Sequence, residues 1–257
     1  MKRWGLTLAA VLLGSACLLP IGSAGAYGAP EAGATRQIAL VIDDFGNDQP
    51  GTKEMMELPI PFAAAVMPFL PTTRRDAEWA HRLGREVLVH MPMEPVNGRP
   101  EWLGPGAITT RMSDEEIRKR TLAAIENVPY AVGMNNHMGS RATADERVMR
   151  IVLTVCKEKG LFFLDSRTTH KSVIGKLSKE LGVRTVQNNI FMDDVYTLSH
   201  IARQAVKVQK RVKTSPQTVV IGHVGPPGKH TAEVLKQTAP LLQQQGGHFV
   251  PVSQLVQ

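Results

Sequence analysis

Aspartate and histidine residues stand at the ends of several apolar segments of this sequence. They are Asp43-Asp44 after IALVI, His90 at the end of EVLVH, His137 after AVGMNN, Asp165 at the end of LFFLD, Asp193-Asp194 after NNIFM, and His223 at the end of VVIGH. Alone, such an Asp usually caps a helix and such a His is usually structural. Together they suit zinc or a similar cation, and clustered carboxylates without a cation are costly. The set therefore predicts a metal site, provided that the fold brings these segment ends together.

The apolar segments alternate with amphipathic ones from Gln37 onward, which is the pattern of βα units around a parallel sheet. Strands are predicted at 38–42, 62–67, 86–90, 131–135, 161–165, 183–192, 218–223 and 248–252. Helices are predicted at about 51–57, 73–83, 113–127, 144–159, 172–181, 197–213 and 230–245. The carboxyl ends of parallel strands share one face, where sites are assembled. Periodicity alone leaves a barrel and an open sheet as alternatives.

Two helix starts have clear signals. Ser113 followed by Glu116 forms a capping box, and Thr143 to Glu146 provides a polar start with acids in the first turn.

The first 26 residues have the pattern of a secretion signal. Lys2 and Arg3 precede an apolar run over 6–19, and small residues at 23–26 offer a cleavage site after Ala26. A membrane anchor is the alternative, but the run is short for a bilayer span and Gly14 and Pro20 interrupt it. We therefore expect cleavage, no stable membrane span in the mature protein, and an extracytoplasmic location in the cell envelope, the periplasm or the medium.

Residues 27–36 are Gly- and Ala-rich and predict a flexible linker, and 37–257 suit one large α/β domain. Removing the two basic residues of the signal leaves 28 basic against 23 acidic residues, an excess of five. Such an excess favours an anionic cell-wall polymer by long-range attraction. Nucleic acid is not expected as a partner, because the basic residues are scattered without interleaved aromatics. Cys156 alone remains in the mature chain, which excludes an intrachain disulfide.

Five segments together resemble the divergent polysaccharide deacetylase family, a relative of chitin and peptidoglycan deacetylases. They are VIDDFG at 41–46, VHMPMEP at 89–95, NNHMGSRAT at 135–143, FLDSRT at 163–168 and VIGHVGP at 220–226. The resemblance covers residues 37–257. It implies a distorted (β/α) barrel of seven or eight strands with a metal site, most simply for zinc, at the carboxyl ends of the strands.

The resemblance also implies roles for the first two motifs. Asp43 corresponds to the catalytic base and Asp44 to a metal ligand. The second motif of the wider superfamily has two metal-binding His residues four positions apart, whereas this sequence has His90 and then Glu94. Either Glu94 or His137 completes the ligand set. We favour His137, because Pro92 disfavours a helical spacing between positions 90 and 94.

The last motif of the superfamily ends a strand with a His that protonates the leaving amine, and His223 occupies that place. Its alternative role is to cap the strand beneath the turn at 225–228. Asp165 or Asp193 would orient the catalytic pair. Arg141 and Arg167 are candidates for steadying carboxylates or substrate, or are surface residues. Trp102 lies in the polar, Gly/Pro-rich loop 96–107 and is a candidate for stacking on a sugar.

The expected function is hydrolysis of acetyl groups on a wall or extracellular polysaccharide by a secreted, metal-dependent enzyme. One alternative is a non-catalytic barrel that binds glycan or a cell-envelope partner, which the Glu94 departure motivates. Another is a metal-dependent hydrolase of a small acylated compound.

Overall fold

A computed structural model of the chain describes residues 36–257. The predicted signal peptide 1–26 and residues 27–35 of the predicted linker lie outside the described residues. The first strand begins at Arg36, so the last residue of the predicted linker belongs to the sheet.

Nine strands pair in parallel within one sheet. They are β1 (Arg36–Phe45), β2 (Ala63–Val66), β3 (Glu86–Met93), β4 (Ala131–Met138), β5 (Phe162–Asp165), β6 (Thr185–Gln187), β7 (Ile190–Phe191), β8 (Gln217–His223) and β9 (Gly247–Phe249). Their order is β6-β5-β4-β3-β2-β1-β8-β7, and β9 pairs with the start of β1. The sheet curls into a distorted (β/α) barrel, which confirms the expected fold.

Over residues 36–257, seven α-helices accompany the strands. They are α1 (Thr52–Met56), α2 (Thr73–Arg82), α3 (Asp114–Asn127), α4 (Glu146–Glu158), α5 (Ile174–Leu181), α6 (Leu198–Thr214) and α7 (Gly228–Gln244). At the start of α3 the Ser113 hydroxyl accepts the Glu116 amide as predicted, but the Glu116 carboxylate accepts from Arg120 and does not complete the capping box. At the start of α4, Asp145 accepts the Val148 amide. Within 36–257, no helix combines the length and the apolar character that a membrane crossing requires.

The predicted strand 183–192 is wrong as one element, since the structure divides it into β6 and β7. Asn188 and Asn189 stand between them and turn their side chains to the backbone. Asn188 Oδ1 accepts the Ile190 amide and Asn189 Oδ1 accepts the Val219 amide. These bonds compete with strand pairing, as asparagine side chains often do. Among the described strands β6 and β7 are therefore the two ends of the strand order, and a seam remains between them.

Alternate residues along each strand form two apolar layers. One face packs inside the barrel, where Ala39, Val41, Leu88 and Ile221 meet small residues of β2. The other face packs against the helices, where Leu40 and Ile42 belong to the larger core. Because strand side chains alternate with a period of two, the parity of a residue decides whether it faces the barrel or the helices.

Two glycines bring the loop after β1 against the loop after β8. Gly51 has a φ of 86°, and a Cβ at Gly228 would lie 2.4 Å from the Pro50 carbonyl oxygen. The Gly225 amide also donates to this oxygen over 2.8 Å. The contact therefore joins the segment after Asp43 and Asp44 to the segment after His223.

A methyl group at this contact should destabilise the protein. We expect Gly228→Ala to lower the free energy of unfolding by about 1–3 kcal/mol, because the backbone of Pro50 must move away. Gly175→Ala is the control. Gly175 lies at an exposed position of α5, and a Cβ added there would have no atom within 4 Å. This substitution should raise stability by about 0.4–1 kcal/mol. Urea unfolding of both variants measures the difference, and equal shifts would contradict the close-contact argument.

Candidate metal centre and active site

Strand parity brings polar side chains to one rim of the barrel interior. On β1 the inward residues Ala39 and Val41 are followed by Asp43, and on β3 the inward Leu88 is followed by His90. The same parity continues to Asn135 and His137 on β4, to Ser166 after β5, to Asp193 after β7 and to His223 on β8. The site is thus the upper layer of the barrel interior, with polar groups in place of apolar ones.

Asp44 joins this layer through an irregularity in β1. Strict alternation would turn Asp44 toward the helices, as it does Ile42. The register of β1 against β2 shifts between Ile42 and Phe45, and Asp44 has a φ of 72°. Such backbone is uncommon for a residue other than glycine and often occurs at functional sites. The extra residue allows two consecutive carboxylates to reach one site.

Asp44, His90 and His137 place one potential ligand atom each within 4.8 Å of one another. Asp44 Oδ1 lies 3.1 Å from His90 Nε2 and 2.9 Å from His137 Nδ1. The two ring nitrogens are 3.1 Å apart. Ligands at about 2.0–2.1 Å in tetrahedral geometry around zinc are separated by about 3.3 Å, so these distances are near those of a coordination sphere.

The outer nitrogens of both imidazoles are held as donors. His137 Nε2 lies 2.9 Å from the Trp102 carbonyl, which can only accept. His90 Nδ1 lies 2.8 Å from Asn135 Oδ1, while the amide nitrogen of Asn135 donates to Asp43 Oδ1 over 2.9 Å. Neutral His90 and His137 therefore turn lone pairs toward Asp44. Such outer partners are what orient metal-binding histidines.

Three lone-pair atoms facing each other need a positive charge between them. Asp44 Oδ1 is buried and has no hydrogen-bond donor within the described part of the chain. Burial would lower the pKa of His137, but the Asp44 carboxylate outweighs it and raises that pKa. Burial would likewise raise the pKa of Asp44, yet His137 and His90 hold it well below its usual range. The donor set therefore fits a divalent cation of the zinc type.

Glu94 is not part of this cluster. Because β3 continues to Met93, positions 90 and 94 are separated along an extended chain by about 13 Å. The Glu94 carboxylate accepts from the Thr110 amide and hydroxyl, each over 2.7 Å, and lies 3.3 Å from Arg141 Nε. Glu94 thus fastens the loop over 94–112, which carries the Trp102 carbonyl, and Arg141 serves that contact.

Asp43 lies beside the proposed ligands. Its Oδ2 is 3.7 Å from His90 Nε2, and its Oδ1 accepts from Asn135. Burial raises the pKa of the Asp43 carboxyl, which His90 and His223 partly offset. Asn135 is fully buried and connects Asp43 to His90 through one amide group. In the sequence Asn135 stands within the motif NNHMGSRAT, and its inward parity is the signal that could have identified it.

His223 and Asp193 form a second pair at the rim, next to Asp43, which is the register partner of His223 on β1. Asp193 Oδ1 is 2.6 Å from His223 Nδ1, and Asp193 Oδ2 accepts from the His223 amide and the Thr231 hydroxyl. Burial would lower the pKa of His223, but the Asp193 carboxylate raises it to about 10. His223 is therefore an imidazolium at neutral pH, and its Nε2–H has no protein acceptor among the described residues.

The structure separates the two acids that were considered as orienting groups. Asp193 has inward parity and holds His223. Asp165 has outward parity, like Phe163 before it, and accepts from the Ser172 hydroxyl and the Arg167 amide. The Arg167 guanidinium lies 3.8 Å from Asp165. Asp165 and Arg167 therefore do not contact Asp43 or His223.

The rim residues enclose a cavity of about 280 Å³. Asp43, Asp44, His90, His137 and His223 line it, together with Phe191, Met138 and Tyr196. The Phe191 ring stacks on the His223 imidazole at 5.9 Å between centroids. Met91, Met93 and Met134 belong to the buried core, whereas Met138 lines the cavity. The cavity therefore has charged groups at its centre and an apolar side beside His223.

Comparison with protein families places the chain among known sequences. A family model described as divergent polysaccharide deacetylase matches residues 40–256. An uncharacterized protein of Haemophilus influenzae is 38% identical over 193 residues, which cover 75% of this chain and 68% of that protein. An uncharacterized protein of Escherichia coli is 34% identical over 201 residues, covering 78% of this chain and 61% of that protein.

Solved structures share the fold at low sequence identity. An uncharacterized protein from Agrobacterium tumefaciens has a TM-score of 0.80 at 19% identity, covering 87% of this chain and 90% of that one. The CE4 domain of a multidomain xylanase from the hindgut metagenome of Trinervitermes trinervoides has a TM-score of 0.54 at 14% identity, covering 86% and 89%. A CE4 family pseudoenzyme from Bacillus anthracis has a TM-score of 0.50 at 14% identity, covering 86% and 65%. These likenesses show the fold alone.

Replacing His137 and Glu94 in turn should show which of the two residues is a metal ligand. We expect His137→Ala to lower zinc affinity by more than about 100-fold, which is the upper end of what outer-shell changes cause. Glu94→Ala should lower it by about tenfold or less, because Glu94 acts only through the loop that holds His137. Chelator competition and elemental analysis measure both variants. Equal metal loss in the two would contradict the assignment.

Replacing Asp193 should lower the pKa of His223. With Asp193→Asn we expect the pKa to fall from about 10 toward the ordinary value of 6.5, since burial is then opposed only by the Asp44 and Asp43 carboxylates. The Asp193–His223 pair stabilises the native state fully below pH 6.5, and this contribution is lost as pH rises through about 10. NMR titration of the imidazole measures the shift, and an unchanged pKa would refute the role of Asp193.

Proposed function

The chain belongs to the divergent polysaccharide deacetylase family, and from this membership we propose that it is a secreted, metal-dependent hydrolase that removes acetyl groups from a polysaccharide. One observation carries the proposal: a three-residue metal site shares a cavity with a buried carboxylate and an imidazolium. Asp44, His90 and His137 would hold the cation, most simply Zn²⁺. The wall or extracellular polysaccharide is the proposed partner.

A cation at these residues, when bound, supplies Lewis acidity that polarises an acyl carbonyl and lowers the pKa of water. Asp43 is the proposed general base. Its Oδ1 is occupied by the Asn135 amide, whereas Oδ2 faces the proposed ligands. A general base works best with a pKa near the working pH, and burial shifts the pKa of Asp43 upward from its usual value.

His223 is the proposed general acid. Its Nδ1 is fixed by Asp193, so a proton on Nε2 is available to the departing amine or alkoxide. The pKa of about 10 keeps this proton in place until the leaving group needs it. Phe191 packs on the imidazole and limits its rotation. The acid thus starts in the protonation state that hydrolysis requires.

Two exposed aromatic side chains support a glycan substrate. Tyr196 lines the cavity and is 60% exposed, and Trp102 is 58% exposed beside the carbonyl that holds His137. Large exposed aromatic rings near a polar cavity suit the apolar faces of sugar rings. A small acylated compound would not need them, so the second alternative from the sequence has less support.

The non-catalytic alternative has lost its main motivation. It rested on Glu94 in place of a second histidine, and the proximity of His137 to Asp44 and His90 supports a ligand set that does not need Glu94. The shared fold does not decide between the alternatives, because a CE4 family pseudoenzyme has it too. The paired Asp43 and His223 favour catalysis. Export by the predicted signal at 1–26 would bring the enzyme to its polymer.

Removing the base should abolish turnover and leave the metal in place. We expect Asp43→Asn to reduce acetate release from chitooligosaccharides or peptidoglycan by about 10²–10⁴-fold, because amide cannot accept the proton. Zinc content should remain at the wild-type level, since Asp43 is not one of the three proposed ligands.

Asp114→Asn is the matched control for this experiment. Asp114 is exposed at the start of α3 and pairs with Arg147, so its variant should retain activity. Full acetate release by Asp43→Asn would refute the proposed base. Absence of acetate release and of bound metal in the wild type would favour the binding protein instead.

A further inference from the structure

A second cavity lies along the seam. Residues of β6 line one side of it, and residues of β8, the strand that pairs with β7, line the other. The cavity has a volume of about 530 Å³ and is flanked by α5 and α6. Pockets for small molecules in proteins have volumes of about 300–1,000 Å³. The segment after β5 separates this cavity from the metal site: Ser166 and Thr168 line the metal cavity, whereas Asp165 and Arg167 line the second one. We call the second cavity the seam cleft.

Basic side chains from three elements meet in the seam cleft. Arg167 follows β5, Lys179 lies on α5 and Arg211 lies on α6. Within residues 36–257, Lys179 and Arg211 have no acidic partner, and Arg211 Nε is buried without a hydrogen-bond acceptor. A buried donor without a partner costs free energy that a ligand can recover. The cleft therefore has an unsatisfied guanidinium and an excess of positive charge.

The charge of α6 increases this excess. The helix contains Arg203, Lys207, Lys210, Arg211 and Lys213 and no acidic residue. Elsewhere on the surface basic side chains pair with acids, as Arg118 does with Glu158 and Arg147 with Asp114. No such pair involves a Lys or Arg of α6 in the described structure. Uncompensated charge of one sign attracts an anionic ligand over long range.

The rest of the lining suits a sugar. Thr185, Gln187 and Gln217 contribute hydroxyl and amide groups that can bond to hydroxyls. Asp165 is also present, and its negative charge disfavours a doubly charged phosphate more than a singly charged carboxylate. The planar guanidinium of Arg211 matches a carboxylate through two parallel hydrogen bonds.

We propose that the seam cleft is a binding site for an acidic sugar unit, with Arg211 and Lys179 recognising its carboxylate. The site lies outside the metal centre, and its occupancy does not require hydrolysis. A carboxylate-bearing unit held there would keep the polymer next to the rim, because one short segment, 165–168, borders both cavities.

Glucuronate is the probe, and glucose is its neutral counterpart. Binding is measured by NMR titration on the purified protein after removal of metal by chelator, at low ionic strength, so that coordination at the metal centre cannot contribute. We expect glucuronate to perturb residues of α5, α6 and β6, and glucose to bind at least about tenfold more weakly, since a charge-assisted pair is lost. Equal binding of the two sugars would overturn the proposal.

Variants with matched charge locate the site. Lys179→Gln with Arg211→Gln should weaken glucuronate binding at least about tenfold. Lys210→Gln with Lys213→Gln removes the same charge from exposed positions of α6 and should weaken it by less than about threefold, because only long-range attraction is reduced. Equal weakening by both pairs would show nonspecific attraction and refute the site. Lys179→Gln alone, at an exposed position, gives the same comparison if the Arg211 variant unfolds.

Two further arms distinguish the ligand class and the site. Inorganic phosphate should bind more weakly than glucuronate, and tighter phosphate binding would overturn the acidic-sugar assignment.

Asp43→Asn should leave glucuronate binding unchanged. Loss of binding in that variant would place the ligand at the rim and refute the seam cleft, whatever the outcome of the acetate assay.

Discussion

The rim of this barrel depends on three electron-pair donors that face one another at close range. When both imidazoles are neutral, Asp44, His90 and His137 cannot satisfy each other by hydrogen bonding, because the outer nitrogens of both rings donate to other groups. A positive charge between them relieves the repulsion, and the folded chain already has the geometry that a cation needs. The apolar layers of the surrounding sheet fix each strand and so offset the unfavourable free energy of holding these groups together.

Much of this arrangement follows from the alternation of side chains along strands, which is legible in the sequence. The apolar segments identify the strands, and the inward parity of Ala39 and Val41 on β1 continues to Asp43. Parity also separates Asp193 from Asp165, which the sequence analysis left as alternatives. What parity could not supply is Asp44. Its direction depends on a register shift and a positive φ, which come from the packing of β1 against β2.

The remaining departures from the sequence analysis also come from tertiary contacts. The role of Glu94 could not be predicted from its neighbours in the sequence, because its carboxylate contacts Thr110 and Arg141, which are distant in the chain. The division of the segment 183–192 depends on Asn189, whose amide oxygen bonds to β8. Local patterning favoured one strand there. The seam and the cleft beside it depend on how the two ends of the sheet approach each other in three dimensions, which local patterning does not show.

The outer contacts of the rim join groups that would otherwise move independently. The side-chain amide of Asn135 accepts a hydrogen bond from His90 and donates one to Asp43. The proposed ligand and the proposed base therefore keep one relative position, and a displacement of either changes both. Asp193 has the same function for His223, since it holds the backbone amide and the ring together. A fold shared by enzymes and pseudoenzymes acquires chemistry through such second contacts, because they determine where lone pairs and protons lie before substrate arrives.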